Sequence, residues 1–506
     1  MWNEFPTAAW PPDRMLPPTD RSPMSAFEIF ELGDHALVAT AVDAVSSETQ
    51  RHICHLAARA RQWPDVGEAI PGTNNLTLLF DPLEADVDRL RERLETACAE
   101  APVSHDADPC VSRDVAVCRG TSGADGADGA GGIESIESTE GMESTGGTNG
   151  ADAEAVTRPP ALTVDVLKAG PLTSVQDLGR RGYRHLGVAL AGALDPLSFE
   201  IANRLVGNPP DAAGLEITMG PVSLRFNQAS RIAITGTDFN TSLDQENVSS
   251  WWSLPVRAGQ ILTLRGARRG MRAYLAVAGG IDVPVVMGSR STDLKTGFGG
   301  FGGRTLRDGD RLSVGSGDAV DPVFAPDAPT FGVKAPAWSR FVEFDYPHQP
   351  PQYVGTRPVG PTVAVRVLRG HEYPQFTDAS QEALWTHHWT ITPNSNRVGY
   401  RLSGPELERE AKSDLRAHAV LPGTIQVPPG GQPIVLLADA QTTGSYPEIG
   451  MVISADLWRL AQARLGGALR FVECTQDEAR EALRATQRYL TQVGAALEMK
   501  QQKRWQ

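Results

Sequence analysis

The 506-residue sequence predicts a mainly β protein, and its length is greater than one ordinary domain. Fifty glycines and thirty-seven prolines favour turn-rich β structure over helical bundles. Short alternating runs separated by turns, such as Val222-SLRF, Arg231-IAIT and Ile261-LTL, are typical of an all-β barrel. The run Arg272-AYLAVA continues this pattern.

A weak internal repeat points to two related barrels. The stretch Leu162-TVDVLKAG resembles Val363-AVRVLRG, and Arg181-GYR resembles Val398-GYR. A duplication would explain both similarities, with chance as the alternative.

The N-terminal part has a different texture and predicts a small α/β domain. Ala36-LVAT reads as a strand, and Thr49-QRHICHLAARARQW has apolar residues at helical spacing. Val66-GEAIPGTNNLTLLF predicts two strands around a Pro-Gly turn, followed by a helix from Asp86. A split β-α-β unit with an added helix is a ferredoxin-like arrangement.

Two helices are predicted in the barrel part from their caps. Asp195-Pro196 supplies an N-cap and an N1 proline for a helix that stops near Gly207. Near the end of the chain, Thr475 and Glu478 form a capping box before a long amphipathic stretch.

Charge and composition exclude several classes of function. The net charge of −14 argues against nucleic acid as a partner, although eight of the carboxylates lie between Thr121 and Ala155, where Lys and Arg are absent. That acidic segment has few large apolar residues, so we expect it to be a disordered linker. A secretory signal and an apolar run of about 18 residues are both absent, so we expect a cytoplasmic protein with no membrane contact.

Five cysteines without C-x-x-C spacing argue against a disulfide framework or a zinc site.

The composition and the predicted helices and strands divide the chain into six parts. The predicted boundaries are a disordered N-terminus at 1–25, the α/β domain at 26–101, the acidic linker at 102–160, the first barrel at 161–330, a proline-rich connection at 331–360, and the second barrel with its C-terminal helix at 361–495.

A literal G-x-G-x-x-G occurs at Gly297, Gly299 and Gly302. A dinucleotide fingerprint needs a helix after these glycines, but the following Thr305-LRDGDRLSV predicts a hairpin. The Rossmann interpretation therefore fails, and the glycines are expected to permit close approach of a ligand or of the neighbouring barrel. The signatures of a P-loop, a zincin and a nucleophile elbow are also absent.

Candidate site residues lie in four glycine-rich polar segments, which suit a backbone that approaches a ligand. Each residue also has a structural alternative as a turn former or a solvated surface group. Amide side chains pair donors with acceptors and suit recognition of a planar amide or carboxylate. No histidine base is assigned, although His185 and His418 lie nearest these segments. The candidates are Gln176, Asp177, Lys295, Asn396, Arg397, Gln432, Asp439, Gln441, Thr442 and Tyr446.

These segments resemble the C subunit of bacterial 5-oxoprolinase, in the biotin-dependent carboxyltransferase or allophanate hydrolase subunit 2 family. The resemblance rests on Lys168-AGPLTSVQDLGRRGYRHLGV, Tyr274-LAVAGGIDVPVVMGSRSTDLK and Gly431-QPIVLLADAQTTGSYP, and covers about 162–490. It implies two tandem cyclophilin-like barrels. Gly33-DHALV and Pro64-DVGEAIPGTNNLTLLFDP are similar to the start of the B subunit of the same enzyme, which implies a truncated B subunit fused to a C subunit.

The resemblance implies ATP-dependent opening of 5-oxoproline to glutamate, with magnesium and with the separate 5-oxoprolinase A subunit and a full B subunit as partners. It implies catalytic roles for Lys295, Asp439, Gln441 and Thr442, and substrate binding by Gln176, Asp177, Asn396, Arg397, Gln432 and Tyr446. Transfer of carboxyl from a biotin carrier to urea is one alternative, although this chain lacks the biotin-carrier motif. Regulation of a histidine kinase is another. Ser445 and Ala419 stand where the family has glycine, and the barrel of the B subunit is missing.

Overall fold

The computed structural model describes residues 27–42, 44–100, 162–267, 270–315, 322–336, 362–411 and 415–502. The N-terminus predicted at 1–25 and the linker predicted at 102–160 lie outside these ranges, so their expected disorder stays a prediction. The connection predicted at 331–360 is described only as far as residue 336.

The N-terminal domain is a four-stranded antiparallel sheet covered by two helices. Its strands follow the order β1-β2-β4-β3, so β2 and β3, which α1 connects, flank β4. This is the predicted split β-α-β unit. The elements are β1 (Phe27–Leu32), β2 (Ala36–Ala41), α1 (Ser47–Ala60), β3 (Glu68–Gly72), β4 (Asn75–Leu79) and α2 (Val87–Ala99).

Local side-chain caps fix where the two helices begin. The Ser46 hydroxyl accepts a hydrogen bond from the Thr49 backbone N–H, and the Asp86 carboxylate accepts one from that of Arg89. Each cap satisfies a backbone donor that the first helical turn leaves unpaired. The buried faces of both helices then close one apolar core with the sheet, around Leu37, Ile53 and Leu94.

The first barrel domain consists of two six-stranded sheets that share one apolar core. The sheet orders are β11-β10-β13-β8-β5-β15 and β16-β12-β9-β14-β7-β6. Leu224 from one sheet and Ile232 and Leu275 from the other belong to the same buried cluster. The elements are β5 (Thr163–Lys168), β6 (Leu172–Gln176), α3 (Pro196–Leu205), β7 (Gly214–Thr218), β8 (Val222–Phe226), β9 (Ser230–Gly236), β10 (Thr241–Leu243), β11 (Glu246–Asn247), β12 (Trp252–Val256), β13 (Ile261–Leu264), β14 (Arg272–Val277), β15 (Arg311–Ser313) and β16 (Phe331–Gly332).

The second barrel domain is a closed barrel with the strand order β17-β24-β21-β22-β19-β18-β25. Together with the first domain it confirms the prediction of a mainly β protein. The elements are β17 (Thr362–Arg369), α4 (Asp378–Thr386), β18 (Trp389–Ile391), β19 (Gly399–Ser403), β20 (His418–Ala419), β21 (Thr424–Gln426), β22 (Ile434–Leu436), β23 (Thr443–Gly444), β24 (Glu448–Val452), α5 (Leu457–Gln462), β25 (Ala468–Glu473) and α6 (Gln476–Gln502).

The C-terminal helix ties the two barrel domains together. Its start has the predicted capping box. The Glu478 carboxylate accepts a hydrogen bond from the Thr475 backbone N–H, and the Thr475 hydroxyl accepts one from the Glu478 backbone N–H. Further along, Val493 and Leu497 pack in the same apolar cluster as Ile201 of α3. A helix that leaves the second barrel therefore covers α3 of the first.

The N-terminal domain contacts both barrel domains. Asn75 donates its side-chain amide to the Ala417 carbonyl in the second barrel domain, with an N–O distance of 2.9 Å. Glu68 accepts a hydrogen bond of 2.9 Å from the backbone N–H of Gly182, which lies in a loop of the first barrel domain. The N-terminal domain thus bridges the pair.

One local prediction was wrong. The segment after the glycine-rich loop does not form a hairpin with its neighbours, because β15 pairs with β5 from the start of the domain. Asp308 holds this arrangement, since its carboxylate accepts from the Ala169 backbone N–H at 2.8 Å. The expected absence of a helix after the glycines is confirmed, and with it the rejection of a Rossmann fingerprint.

Cys98 and Cys474 are free, whereas Cys54 is disulfide-bonded, which the cysteine spacing did not predict. None of the described helices combines the length and apolar character that a membrane crossing requires.

Candidate functional site

The interface between the barrel domains contains a buried ion network centred on Arg397. This side chain follows the turn before β19 and donates from Nε and Nη2 to the two carboxylate oxygens of Asp439, each at 2.9 Å. It also donates from Nη1 to Glu216 on β7, and from Nη2 to the Gly192 carbonyl at 2.6 Å. Four hydrogen bonds therefore join one guanidinium to both domains.

Neighbouring groups complete the coordination of Glu216. Its second oxygen accepts from the Tyr274 hydroxyl at 3.0 Å and from the Leu194 backbone N–H at 2.8 Å. Arg272 lies 3.6 Å from its first oxygen and donates to the Tyr400 hydroxyl at 3.0 Å. The carboxylate is thus surrounded by donors from both domains.

Charge pairing decides the protonation states of Glu216 and Arg397, whereas burial raises the pKa of Asp439. Burial alone would raise the pKa of Glu216, but Arg397 and Arg272 outweigh it and lower that pKa. Burial likewise opposes the charge of Arg397, but Asp439 and Glu216 outweigh it and raise its pKa. Both groups stay charged, as a buried pair with compensating hydrogen bonds must.

Asp177 is surrounded by protein donors. The Ser289 hydroxyl donates to its two oxygens at 2.8 and 2.9 Å, and the Ser291 hydroxyl donates to the first of them. The backbone N–H groups of Gly179 and Arg290 also donate to this carboxylate. The structure therefore places Asp177 as the group that joins the loop after β6 to the loop that contains Ser289 and Ser291.

Three buried polar atoms near the segment 291–293 have no hydrogen-bond partner among the described residues. These atoms are a donor, Arg180 Nη1, and two acceptors, Gln176 Oε1 and Asp293 Oδ2. The other atoms of these side chains hold them in place: Gln176 Nε2 donates to the Thr292 carbonyl at 3.2 Å. One donor and two acceptors are the kinds of group that an amide ligand can pair with.

The position of Arg180 explains why the loop that contains Gly297, Gly299 and Gly302 is rich in glycine. Arg180 Nη2 donates to the Ser291 carbonyl at 2.9 Å, and its guanidinium lies over the Phe298 ring at 4.6 Å. A Cβ on Gly299 would lie 2.8 Å from Arg180 Nη2 and 2.3 Å from the Ser291 oxygen. The loop therefore needs glycine there so that it can close over Arg180.

Electrostatics link this loop to the inter-domain network. Burial lowers the pKa of Arg180, while the charges of Asp177, Asp293 and Asp439 oppose that effect. The carboxylate of Asp439 lies close enough to influence both Arg180 and Arg397. We refer to Gln176, Arg180, Asp293 and Asp439 together as the inter-barrel site.

The remaining predicted residues lie around this site or away from it. Lys295 is exposed on the glycine-rich loop, and Tyr446 is 44% exposed after β23. Thr442 is buried and Gln441 half-buried in the segment that follows Asp439. Their assigned roles stay predictions.

Two predicted residues have structural partners. Gln432 donates to the Gly404 carbonyl and accepts from its N–H, and so ties two loops together. Asn396 is exposed and accepts from the Val398 backbone N–H at 2.8 Å, as a turn former does. These contacts occupy the amide groups that the sequence pattern assigned to substrate, and that assignment stays a prediction.

A second buried cluster surrounds His418 on β20. Its Nε2 lies 3.2 Å from the Glu448 carboxylate, whose backbone N–H donates to Glu372. Burial opposes protonation of His418, but Glu448 outweighs it and raises the pKa of His418 to about 9. Burial and Glu448 also raise the pKa of Glu372. A protonated histidine between two carboxyl groups is an ion-pair centre and a poor general base at neutral pH.

Sequence reasoning missed Glu216 and Arg272 as members of the network, and left Arg180 and Asp293 unassigned. A carboxylate within the apolar strand Leu215-EIT was the available signal, because a charged group there must be paired. Among the described residues no cluster of three or more His, Cys, Asp or Glu could hold a metal ion.

Two models of protein families match the chain. The carboxyltransferase domain, subdomain A and B, matches residues 186–473, which is more than half of the chain. The carboxyltransferase domain, subdomain C and D, matches residues 27–136.

Two solved structures are similar to the chain. The structure of Kluyveromyces lactis urea amidolyase is 29% identical in sequence with a TM-score of 0.56, and the match covers 65% of this chain and 20% of that protein. TTHA0988 is 24% identical with a TM-score of 0.62, over 86% of this chain and 99% of its own, which shows a shared fold.

Two curated relatives each match 65% of this chain. The chain is 46% identical over 328 residues to the 5-oxoprolinase C subunit of Escherichia coli, which covers 65% of this chain and 96% of that relative. It is 37% identical over 330 residues to the 5-oxoprolinase C subunit of Haemophilus influenzae, which covers 65% of this chain and 97% of that relative. The chain therefore belongs to the carboxyltransferase-domain family and resembles the 5-oxoprolinase C subunit along nearly the whole of that protein.

Proposed function

We propose that this chain is a component of an ATP-dependent 5-oxoprolinase, which opens the lactam of 5-oxoproline to give glutamate. The observation that carries the proposal is 46% identity across 96% of the Escherichia coli C subunit. A protein similar to one component of an enzyme is expected to act with partner components. In this proposal the partners are the 5-oxoprolinase A subunit and a full B subunit, in the cytoplasm.

The chemistry of the inter-barrel site suits a lactam. An amide resists attack because its nitrogen donates electron density to the carbonyl, so a catalyst must polarise that carbonyl. Arg180 Nη1 offers a donor for the carbonyl oxygen, and Gln176 Oε1 or Asp293 Oδ2 offers an acceptor for the lactam N–H. ATP with magnesium is the co-substrate, and Lys295 is exposed on the adjoining loop, where it would meet a phosphate.

The N-terminal domain is proposed to be the first domain of a B subunit, fused to a C subunit. It supports the site indirectly, because it contacts the loop that follows Arg180. The missing barrel of the B subunit would then be supplied by a separate, full-length copy.

Carboxyl transfer to urea or a related amide is the second candidate. The specific observation is the family match, together with 30% identity over 337 residues to a urea amidolyase of Lachancea kluyveri, which covers 63% of this chain and 17% of that protein. Because the chain spans so little of that protein, its activity is a weaker guide. Urea is also a planar amide and would meet the same three polar atoms.

The test combines the purified chain with the A subunit, with and without a full B subunit, and measures ADP release that depends on 5-oxoproline. We expect release in at least one combination, and a loss of about tenfold or more in Arg180→Met, which removes the donor. The matched control is Arg265→Met, an Arg whose side chain is exposed in the first barrel domain. Carboxyl transfer from carboxybiotin to urea, without ADP release in any combination, would select the second candidate.

A further inference from the structure

A second group of buried polar atoms without hydrogen-bond partners among the described residues lies where the N-terminal domain meets the first barrel domain. Glu68 on β3 accepts from the Gly182 backbone N–H with one carboxylate oxygen, at 2.9 Å. Its other oxygen, Oε2, is buried and has no hydrogen-bond partner among the described residues. The turn that follows Gly182 brings Arg184 to the same interface.

Arg184 is the cationic counterpart of this acceptor. Its side chain is 6% exposed, and its Nη1 is buried without a hydrogen-bond partner in the described part of the chain. Burial lowers the pKa of Arg184, and the charge of Glu68 opposes that effect without a direct ion pair. A buried donor and a buried acceptor at one interface therefore have no partner among the described residues, which is costly unless another group meets them.

The surroundings favour an anion. Arg61 donates to the Ala69 carbonyl beside Glu68, and its charge reaches His185 on the opposite side of the interface. Burial lowers the pKa of His185, with Arg61 acting in the same direction, so this imidazole is neutral. Arg61, Arg181 and Arg184 against one carboxylate leave a net charge of +2 around the unpaired atoms.

The unpaired acceptor narrows the class of anion. A phosphate group would meet the Glu68 carboxylate with like charge, which is unfavourable. A small carboxylate that also carries an N–H group would place its carboxylate against Arg184 and its N–H against Glu68 Oε2. That combination is shared by α-amino acids and by their lactams.

We propose that Glu68 and Arg184 form a binding site for a small carboxylate with an adjacent N–H donor, an α-amino acid or its lactam. This Glu68–Arg184 site is separate from the inter-barrel site, because Arg180 is held by Ser291 and Phe298, whereas Arg184 lies near Glu68 of the N-terminal domain. It joins the N-terminal domain to the first barrel domain, so that an occupant would strengthen their contact. The choice of glutamate and 5-oxoproline as probes rests on the proposed function.

The test is isothermal titration calorimetry on the full chain with glutamate, 5-oxoproline and inorganic phosphate. We expect saturable binding of glutamate or 5-oxoproline, and binding at least about tenfold weaker in Arg184→Met, because a charge-assisted hydrogen bond is lost. The matched control is Arg257→Met, an exposed arginine between β12 and β13, which should change affinity less than about twofold.

The Glu68→Gln variant distinguishes the two ligand classes, the α-amino acid and its lactam. Glutamine keeps an acceptor oxygen but loses the charge. Binding of an amino acid, through its ammonium group, should therefore weaken more than binding of a lactam, through its neutral N–H. If Arg184→Met does not fold, as thermal unfolding would reveal, Arg184→Lys replaces it, and there too weaker binding is expected.

Absence of saturable binding by both carboxylates, equal affinity in the Arg184 variant, or tighter binding of phosphate would each overturn the site. Binding without 5-oxoproline-dependent ADP release would instead contradict the proposed function and leave the site in place. Release of ADP that depends on 5-oxoproline, together with unchanged ligand binding in the Arg184 variant, would contradict the site and leave the proposed function in place.

Discussion

Glu216 of the first barrel domain and Arg397 of the second form a buried ion pair across the domain interface. Asp439 holds the same guanidinium from the second domain with two parallel hydrogen bonds. Such a fork fixes the orientation of the Arg397 side chain as well as its charge. Arg397 therefore couples the contact between the barrel domains to the position of Asp439.

The first prediction is that Glu216→Gln destabilises the chain by about 3–5 kcal/mol, because Arg397 and Arg272 would lose a buried countercharge. Urea unfolding measures this loss. The control is Arg311→Ala, which removes a pair with Asp165 in which the Arg side chain is 68% exposed, and it should cost about 0–1 kcal/mol. Equal losses in the two variants would show that the inter-domain pair has no special weight.

Local features of the fold were predictable, since they depend on neighbouring residues. The cap of α3 by Asp195 and the capping box at Thr475 each use residues three positions apart. The Glu216–Arg397 pair joins residues 181 positions apart, and no local pattern encodes such a contact. The alternating strand runs, the internal repeat and the family resemblance therefore predicted the barrels, but not which charges would meet between them.

The same limit applies to the candidate site. Asp177 was predicted as a substrate ligand because it lies among glycines; its carboxylate accepts hydrogen bonds from Ser289 and Ser291, and the substrate role stays a prediction. Arg180 is nearby in sequence but has the unpaired donor. Sequence selects the segment, whereas only packing shows which of its polar atoms are already satisfied.

The second prediction concerns pH. His418 has a pKa of about 9 in the folded chain and an ordinary value of about 6.5 when unfolded, so folding binds its proton more tightly. Its stabilisation is complete below about pH 6.5 and is lost as the pH rises through about 9. We expect His418→Gln to remove this loss, which is at most about 3 kcal/mol.

Urea unfolding at several pH values between about 6 and 10 measures the effect. The control is His387→Gln, at an exposed histidine, and it should keep the slope of the parent chain. Glu372→Gln is measured as well, because that carboxyl group faces the same cluster. A parent chain with constant stability over this range would contradict the raised pKa of His418.

The third prediction compares two glycines of the same loop. Gly299 and Gly297 have φ angles of +71° and +74°, so alanine is strained by about 1–2 kcal/mol at either position. At Gly299 the added Cβ also meets Arg180 and Ser291, whereas at Gly297 it meets nothing within 4 Å. Gly299→Ala should therefore cost about 1–3 kcal/mol more than Gly297→Ala in urea unfolding. Equal costs would mean that the loop does not close tightly over Arg180.

The last prediction tests how the N-terminal domain is held. Asp34 is 4% exposed and accepts from the Ser454 hydroxyl at 2.7 Å and from the Ser454 backbone N–H at 2.9 Å. Asp34→Ala removes the acceptor of this part-buried N–H and of the hydroxyl, at a cost of about 1–3 kcal/mol. We expect faster hydrogen exchange in β1 and β2, with little change in the first barrel domain.

The exposed carboxylate of Glu48 on α1 provides the control, and Glu48→Ala should leave exchange in β1 and β2 unchanged. Although burial alone would raise the pKa of Asp34, His35 and Ser454 outweigh it and lower that pKa. A lowered pKa means that the contribution of Asp34 is present at neutral pH and lost in acid, as the carboxylate is protonated. The difference in stability between the parent chain and Asp34→Ala should therefore shrink as the pH falls. A difference that stays constant into acid would show that the Asp34 charge does not hold the N-terminal domain against the second barrel domain.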